Sequence, residues 1–260
     1  MTTGPAVEFL DTDGLTFVEH APPVLTPRER SEVDRLWAET TARNPAAFDG
    51  RVVASLGVER RGAEPVVVRW AAVSYRMRGL RALRAAERVP GSVFVTVLLP
   101  SEDGLVVGRG STATAAPGRW TLPGGAVEPP AAGEALDITA LRRHAARELV
   151  EETGVEVPDS RLELWGLTRG RRFGSLGFHF LAPPLPGALV RRRHAALARA
   201  QEHAPGGGEV ELDALAFVRS TAAAERLGPG ADYLPQVLDR YLLITGRSAT
   251  RMHGLSTNGG

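Results

Sequence analysis

The stretch from Asp137 to Gly154 constrains the fold of this chain most, because it predicts a helix with two unlike faces and a defined end. Glu148, Glu151 and Glu152 stand at i, i+3 and i+4, so their carboxylates share one face. Gly154 supplies the residue that commonly closes a helix. Apolar residues form the other side: Ile138, Leu141, Ala145 and Leu149. Carboxylates on one face repel one another unless a cation lies among them, so the pattern favours a hard divalent ion.

Strands and helices alternate around this helix in a way that predicts an α/β fold. The strongest strand is 92–99, and Asp103-Gly104 indicates a hairpin after it. Further strands are predicted at 162–167, 177–181 and 211–218, and further helices at 188–202 and 232–245. Residues 76–88 are predicted to form a helix or a loop followed by a helix. We expect a mixed sheet in an α/β/α sandwich over residues 91–246. Residues 1–90 are predicted to form an N-terminal extension or subdomain, and 247–260 a flexible tail.

Composition excludes several classes of protein. The chain of 260 residues has a formal net charge of +1, which argues against nucleic acid as a partner. It has no cysteine, which excludes disulfides and thiolate metal sites. No apolar run reaches the roughly 20 residues of a membrane span, and no secretory signal is visible. We therefore expect a soluble cytoplasmic protein, without a membrane partner, that is a monomer or a homodimer.

The same helix carries a motif that resembles the Nudix hydrolases. Their signature is G-x5-E-x7-R-E-U-x-E-E-x-G-U, where U is a bulky aliphatic residue. Its second half is matched without a gap by Arg147-Glu148-Leu149-Val150-Glu151-Glu152-Thr153-Gly154-Val155. The first half is similar to the PGGxVEPGE opening of many members, as Pro123-Gly124-Gly125-Ala126-Val127-Glu128-Pro129.

The spacing between the two halves departs from the family. The separation of Gly125 and Arg147 is eight residues longer than in the signature. Both Glu128 and Glu134 therefore remain candidates for the first signature glutamate. The extra residues fall within 130–140, where they reshape the substrate pocket or lengthen the helix.

The resemblance implies hydrolysis of a nucleoside diphosphate linked to another moiety, with Mg²⁺, or alternatively Mn²⁺, as the cofactor. It assigns Glu148, Glu151 and Glu152 to the metal, together with the backbone carbonyl of Gly124. Glu151 and Glu152 are also expected to act in catalysis, and Arg147 to orient a carboxylate.

Many members of the family add a carboxylate from a later strand or loop, as a ligand or a base. Glu211 has the matching position here, and Glu209 is the alternative. A solvated strand end is an equally good interpretation of Glu211.

The N-terminal half is similar to a branch of the family that hydrolyses UDP-glucose and UDP-galactose. The similarity rests on Trp37, the run Asn44-Pro45 to Phe48-Asp49-Gly50, and the run Ser74-Tyr75-Arg76. That branch also has a stretched motif. The resemblance implies a small nucleotide sugar as the substrate, with UMP and a sugar 1-phosphate as products.

Cationic and aromatic side chains are the expected contacts of such a substrate, because guanidinium groups bind phosphate in a bidentate manner. The candidates are Tyr75, Arg76, Arg169, Arg171, Arg172 and Phe173. All 31 basic residues are arginine, so any one of them is more often a surface residue. His144 lies one turn before Glu148 and is predicted to be an exposed helix residue.

Two alternatives to a UDP-sugar hydrolase stay open. The first is an ADP-ribose or general nucleotide pyrophosphatase. The second is a nucleotide sensor of the same fold that does not hydrolyse its ligand.

Overall fold

The computed structural model describes residues 5–60, 65–204 and 210–254, and the backbone alone for 246–254. The strands are Val7–Leu10 (β1), Thr16–Glu19 (β2), Arg51–Glu59 (β3), Val67–Ser74 (β4), Gly91–Leu98 (β5), Pro100–Ser101 (β6), Gly104–Gly110 (β7), Trp120–Thr121 (β8), Glu163–Gly170 (β9), Leu176–Leu181 (β10) and Leu212–Val218 (β11). The α-helices are Pro27–Arg43 (α1), Ile138–Thr153 (α2), Gly187–Glu202 (α3), Thr221–Leu227 (α4) and Leu234–Gly254 (α5). Short 3₁₀ helices occupy Tyr75–Ala82, Ala86–Arg88 and Asp159–Arg161.

A seven-stranded mixed sheet runs in the order β1-β9-β10-β5-β3-β4-β2. The β5–β10 and β2–β4 pairs are parallel, and the remaining pairs are antiparallel. A smaller sheet has the order β11-β7-β6, with β8 paired to β7. The predicted mixed α/β fold is therefore confirmed.

The central strand β5 separates two apolar layers, because successive residues of a strand point to opposite faces. Val93, Val95 and Val97 pack with the apolar face of α2 in one core cluster. Leu98 belongs to a second cluster that contains Val237 and Leu238 of α5. Helices thus cover the strand on both sides, as in the predicted sandwich.

The first 90 residues contribute strands to the larger sheet. Ala54 of β3 pairs with Ser92 of β5, and β1 pairs with β9. Helix α1 begins with a capping box between Thr26 and Glu29, and Glu29 also pairs with Arg84 at 2.6 Å. The N-terminal strands therefore reach the centre of the fold, and the domain boundary at residue 90 stays a prediction.

Two helical predictions differ from the structure. Residues 76–88 form two 3₁₀ segments instead of one helix, with Gly79 packed beside Val33 and Leu36 of α1. Glycine weakens an α-helix interior, which favours this break. The last helix continues to Gly254 rather than ending at Thr245. Residues 255–260, the rest of the predicted tail, lie outside the described residues. Among the helices that are described, none is sufficiently long and apolar to cross a membrane.

Candidate active site

A glycine loop before α2 runs antiparallel beside the central strand β5. The N–H of Val95 donates to the carbonyl of Gly125 at 3.0 Å, and the N–H of Val97 to that of Pro123 at 2.8 Å. Gly124 has a φ of +147°, and a Cβ there would overlap the carbonyl of Val95. Only glycine fits this close approach, because it lacks the Cβ and adopts positive φ without a steric cost.

Helix α2 presents its polar face to this loop. Asp137 caps its N-terminus by accepting from the N–H of Ala140 at 2.7 Å, and Gly154 closes it in the left-handed conformation. Leu141 and Leu149 are completely buried on the opposite face. The helix is consequently fixed in rotation, and its glutamates turn toward the glycine loop.

Two of the three helix glutamates touch the loop. Glu152 is 4% exposed, and its Oε2 accepts a hydrogen bond from the N–H of Gly124 at 2.6 Å. The carboxylate of Glu148 lies against Gly125, where a Cβ would overlap it. The loop and the helix therefore hold these carboxylates from both sides.

His144 is part of the site, and the prediction that it is an exposed helix residue is wrong. It is buried, and its Nε2 lies 2.9 Å from Oε1 of Glu148 and 3.1 Å from the carbonyl of Ala126. Nη2 of Arg147 is 2.8 Å from its Nδ1. Because guanidinium only donates, Nδ1 accepts, and the proton of the ring stands on Nε2. His144 thus donates to the carbonyl of Ala126, and its Nε2 also lies against the carboxylate of Glu148.

Arg147 joins the two halves of the motif. Its Nη2 lies 3.0 Å from Oε2 of Glu128, and its Nε lies 3.8 Å from Oε1 of Glu151. Glu134 is exposed and does not line the cavity at the helix glutamates. Of the two candidates for the first signature glutamate, Glu128 is the one beside the helix.

Glu211 approaches the helix from a different part of the chain. Its backbone carbonyl accepts from the N–H of Ser111 at 2.8 Å, just before β11. Its side chain lines a cavity of about 430 Å³ together with Glu128, Glu148 and Glu151. The alternative, Glu209, lies outside the described residues. Below, "the glutamate cluster" means Glu148, Glu151, Glu152 and Glu211.

Repulsion and burial raise the pKa of three carboxyls in the glutamate cluster. Desolvation, together with the charge of Glu148, raises the pKa of Glu151. Burial raises the pKa of Glu152 well above its ordinary value, although the Gly124 N–H opposes the rise. The pKa of Glu211 is raised by desolvation and by the charges of Glu148 and Glu151. Each shift means that negative charge at this place is costly without a compensating cation.

The donor set fits a hard divalent cation, since carboxylate oxygens are the ligands that Mg²⁺ and Mn²⁺ prefer. Within the described part of the chain, no three acidic or histidine side chains already converge as a metal-binding group. Instead, Glu148 faces His144 and Glu152 faces Gly124. A cation would therefore draw the glutamate cluster together.

A larger cleft of about 530 Å³ adjoins the glutamate cluster, and Gly125 and Ala126 line both cavities. Three of the predicted substrate-binding residues line this cleft: Tyr75, Arg172 and Phe173. The cleft thus leads from the glycine loop to aromatic and cationic side chains.

Arg76 points elsewhere. Its guanidinium lies 3.0 Å from Asp49 and 3.0 Å from Asp34 of α1, and its N–H also donates to Asp49. Ser74 Oγ donates to the same carboxylate at 2.5 Å. The two N-terminal runs quoted above therefore contact each other, and the predicted substrate role of Arg76 stays a prediction.

Arg169 and Arg171 also lie outside the residues that line the cleft. Arg169 pairs with Glu8, and the N–H of Arg171 donates to the carbonyl of Ala6 at 3.0 Å. Both contacts tie the N-terminus to β9. Substrate roles for these two arginines stay predictions.

Three further arginines in the cleft were missed from the sequence: Arg78, Arg81 and Arg119, the last of which pairs with Asp232. Arg78 and Arg81 stand on the 3₁₀ helix 75–82 and line the cleft beside Arg172. Cζ of Arg81 lies 4.7 Å from the ring centre of Phe173, and Cζ of Arg172 lies 4.9 Å from it. The arginine-rich run itself was the only signal for Arg78 and Arg81. Below, "the arginine cluster" means Arg78, Arg81 and Arg172.

Comparisons with known proteins find matches among solved structures alone. No family model matches the chain, and no curated protein matches it. Among solved structures, it is similar to the MutT protein of Methanosarcina mazei Go1, with 18% identity, 58% of this chain and 91% of that chain covered, and a TM-score of 0.39. It is also similar to the E. coli ORF135 protein, with 18% identity, 59% of this chain and 90% of that chain covered, and a TM-score of 0.39. A third similar structure is a bifunctional NMN adenylyltransferase/ADP ribose pyrophosphatase from Francisella tularensis. The identity is 15%, 65% of this chain and 43% of that chain are covered, and the TM-score is 0.38.

Proposed function

We propose that this chain is a Nudix-type hydrolase that cleaves the phosphoanhydride bond of a nucleoside diphosphate linked to a small molecule, with Mg²⁺ or Mn²⁺ as the cofactor. One observation carries the proposal. Glu148, Glu151 and Glu211 line a cavity with Gly125, and Glu152 binds the N–H of Gly124. The same glycine loop lines a cleft with cationic and aromatic walls. Such an arrangement holds a cation beside the diphosphate and leaves room for both halves of the substrate.

When bound, the cation neutralises the diphosphate oxygens and lowers the pKa of a water molecule. Glu148, Glu151 and Glu152 would hold it, with the carbonyl of Gly124. Glu211 accepts the proton of the attacking water, because its raised pKa makes it a better base than an ordinary carboxylate. The water oxygen bonds to one phosphorus, the bridging oxygen leaves with the other phosphate, and the proton passes to solvent. Arg147 orients Glu151.

The finer proposal is that the substrate is a UDP-sugar, UDP-glucose or UDP-galactose, and that the products are UMP and a sugar 1-phosphate. The support is the contact between the N-terminal runs: Asp49 accepts from both Ser74 and Arg76. This contact places Tyr75 at the cleft. Of the residues that suggested a UDP-sugar, Ser74 and Tyr75 line the cleft next to the glutamate cluster.

A substrate panel with and without metal tests the proposal. UDP-glucose, UDP-galactose and ADP-ribose would each be incubated with Mg²⁺, with Mn²⁺ and with EDTA, and the products separated by chromatography. We expect UMP and sugar 1-phosphate from the UDP-sugars and no turnover in EDTA.

Two outcomes would change the assignment. Turnover of ADP-ribose without turnover of either UDP-sugar would identify a general nucleotide pyrophosphatase and refute the finer proposal. Nucleotide binding by calorimetry without any metal-dependent hydrolysis would identify a sensor and refute the hydrolase.

A further inference from the structure

We propose that the arginine cluster is a binding site for a second anionic group on the substrate, separate from the diphosphate. The inference rests on the proposed function, since it concerns the same cleft. It narrows the substrate to nucleoside diphosphate compounds that carry an additional carboxylate or phosphate.

Arg81 is the central residue of this site. It is half-buried, one of its Nη atoms donates to Ser92 Oγ at 3.0 Å, and its buried Nε has no hydrogen-bond partner among the described residues. Burial lowers the pKa of Arg81, and the charges of Arg78 and Arg172 lower it further. A half-buried guanidinium with two cationic neighbours is costly unless an anion compensates it.

None of the three arginines pairs with a carboxylate in the ranges that the structure describes. Arg35, Arg84 and Arg109, by contrast, form ion pairs with carboxylates. Two of the cluster's guanidinium groups instead lie near one ring, Phe173, and the third lies 5.0 Å from the ring of Tyr75. Among the described residues that line the cleft, Asp232 carries the one carboxylate, and it pairs with Arg119 rather than with the arginine cluster.

The position along β5 separates this site from the diphosphate. Arg81 is anchored at Ser92, whereas the glycine loop is anchored three residues later, where Val95 bonds to Gly125. Three residues of extended strand span roughly 10 Å. The arginine cluster thus faces the part of the substrate beyond the cleaved bond, and a neutral hexose would leave the three charges unmatched.

Two kinds of substrate place an anion there. A sugar acid, as in UDP-glucuronate, carries a carboxylate on the sugar, and a nucleotide phosphorylated on its ribose carries a phosphate on the nucleoside. Both offer oxygen acceptors that guanidinium groups bind in the same bidentate way.

Binding of half-substrates in EDTA tests the site without the reaction. Calorimetry would compare glucuronate 1-phosphate with glucose 1-phosphate, and adenosine 3′,5′-bisphosphate with AMP. In one of the pairs, we expect the compound with the extra anionic group to bind at least about tenfold more tightly than its partner, as an added charge-assisted contact implies. The pair that shows the difference identifies the source of the anion.

Arg81→Met and Arg172→Met should each abolish that preference while leaving the affinity for the member without the extra anionic group unaffected. Arg88→Met is the matched control, because Arg88 is exposed and does not line the cleft. Equal affinity within both pairs in the wild type, or a preference that survives in both variants, would overturn the inference.

The two proposals fail in different ways. If Mg²⁺-dependent hydrolysis is present but neither pair shows a preference, the anion site is wrong and the hydrolase stands. If the preference is present and lost in Arg81→Met, but no nucleotide is hydrolysed, the anion site stands and the hydrolase is wrong.

Discussion

The glutamate cluster and the arginine cluster lie at two adjoining cavities and are opposite in charge. They also differ in how the chain builds them. Three of the four glutamates come from five consecutive positions of α2, whereas the arginines come from the 3₁₀ helix 75–82 and from the turn between β9 and β10. The first cluster is a local pattern and the second exists only after the chain has folded.

Both clusters cost free energy in the ligand-free protein. The pKa of Glu152 is raised by burial and by the other glutamates, and the pKa of Arg81 is lowered by burial and by the other arginines. Like charges held together in a partly buried place are stabilised by a ligand of the opposite sign. If the two clusters bind a cation and an anion as proposed, they would orient a substrate in one direction.

Removing one charge from the glutamate cluster should have the largest effect. Glu151→Gln is expected to lower kcat for UDP-glucose hydrolysis in Mg²⁺ by about 10²-fold or more, because charge stabilisation of the reacting phosphate is lost. Initial rates with saturating substrate measure it. Glu156→Gln is the control, since Glu156 is an exposed residue that does not line the cavity. Equal rates for the two variants would remove the metal role of this face.

The glycine loop that holds the glutamate cluster should be intolerant of a methyl group. Gly124→Ala is expected to lower the free energy of unfolding by about 1–3 kcal/mol more than Gly133→Ala, because its Cβ would overlap the backbone of β5. Gly133 also has a positive φ, +87°, but open space around it, so this pair separates close packing from backbone strain. Urea unfolding measures both. Equal losses would mean that the loop moves away from the strand without cost.

The sequence predicts the features that depend on local patterns, and it misses those that form only when distant segments meet. Helix α2 begins and ends where Asp137 and Gly154 predict, because capping and periodicity are local properties. The mixed sheet and the helical layers also follow from local patterns. Glu211 was identified only through the family resemblance, although it lies within the cavity of Glu148 and Glu151.

The errors concern residues whose environment depends on distant segments. His144 reads as an exposed residue of a helix, but the carbonyl of Ala126, eighteen residues earlier, covers it. Arg76 and Arg81 are alike in sequence, yet Asp49 binds the first and the cleft receives the second. Nothing in the spacing of one chain segment distinguishes them, because the partner lies in another segment.

The pH dependence of stability should report the glutamate cluster. A carboxyl whose pKa is higher in the folded protein binds more protons there, so the metal-free protein loses stability as the pH rises above about 4.5. We expect the melting temperature in EDTA to fall relative to Glu151→Gln between about pH 5 and pH 8, and Mg²⁺ to restore it most at the higher pH.

Comparison with the variant is necessary because His179 acts in the opposite direction. Burial lowers the pKa of His179 to about 3, so its contribution to stability grows as the pH rises toward its ordinary value of 6.5. That contribution is common to both proteins and cancels in the difference. A difference that stays constant with pH would show that Glu151 experiences no repulsion in the folded protein.

The smallest effect is expected at the arginine cluster, where the side chains are more exposed and water screens their repulsion. Arg81→Met keeps the apolar contact with Phe173 and removes one of three like charges. Relative to Arg88→Met, it should gain a few tenths of a kcal/mol in the free energy of unfolding at low salt. This gain should shrink as salt is added, because the Debye length falls to roughly 3 Å at 1 M. Urea unfolding at two salt concentrations measures the change. A difference between the variants that does not respond to salt would mean that the guanidinium of Arg81 contributes to stability through packing alone. The arginine cluster would then no longer be the electrostatic counterpart of the glutamate cluster.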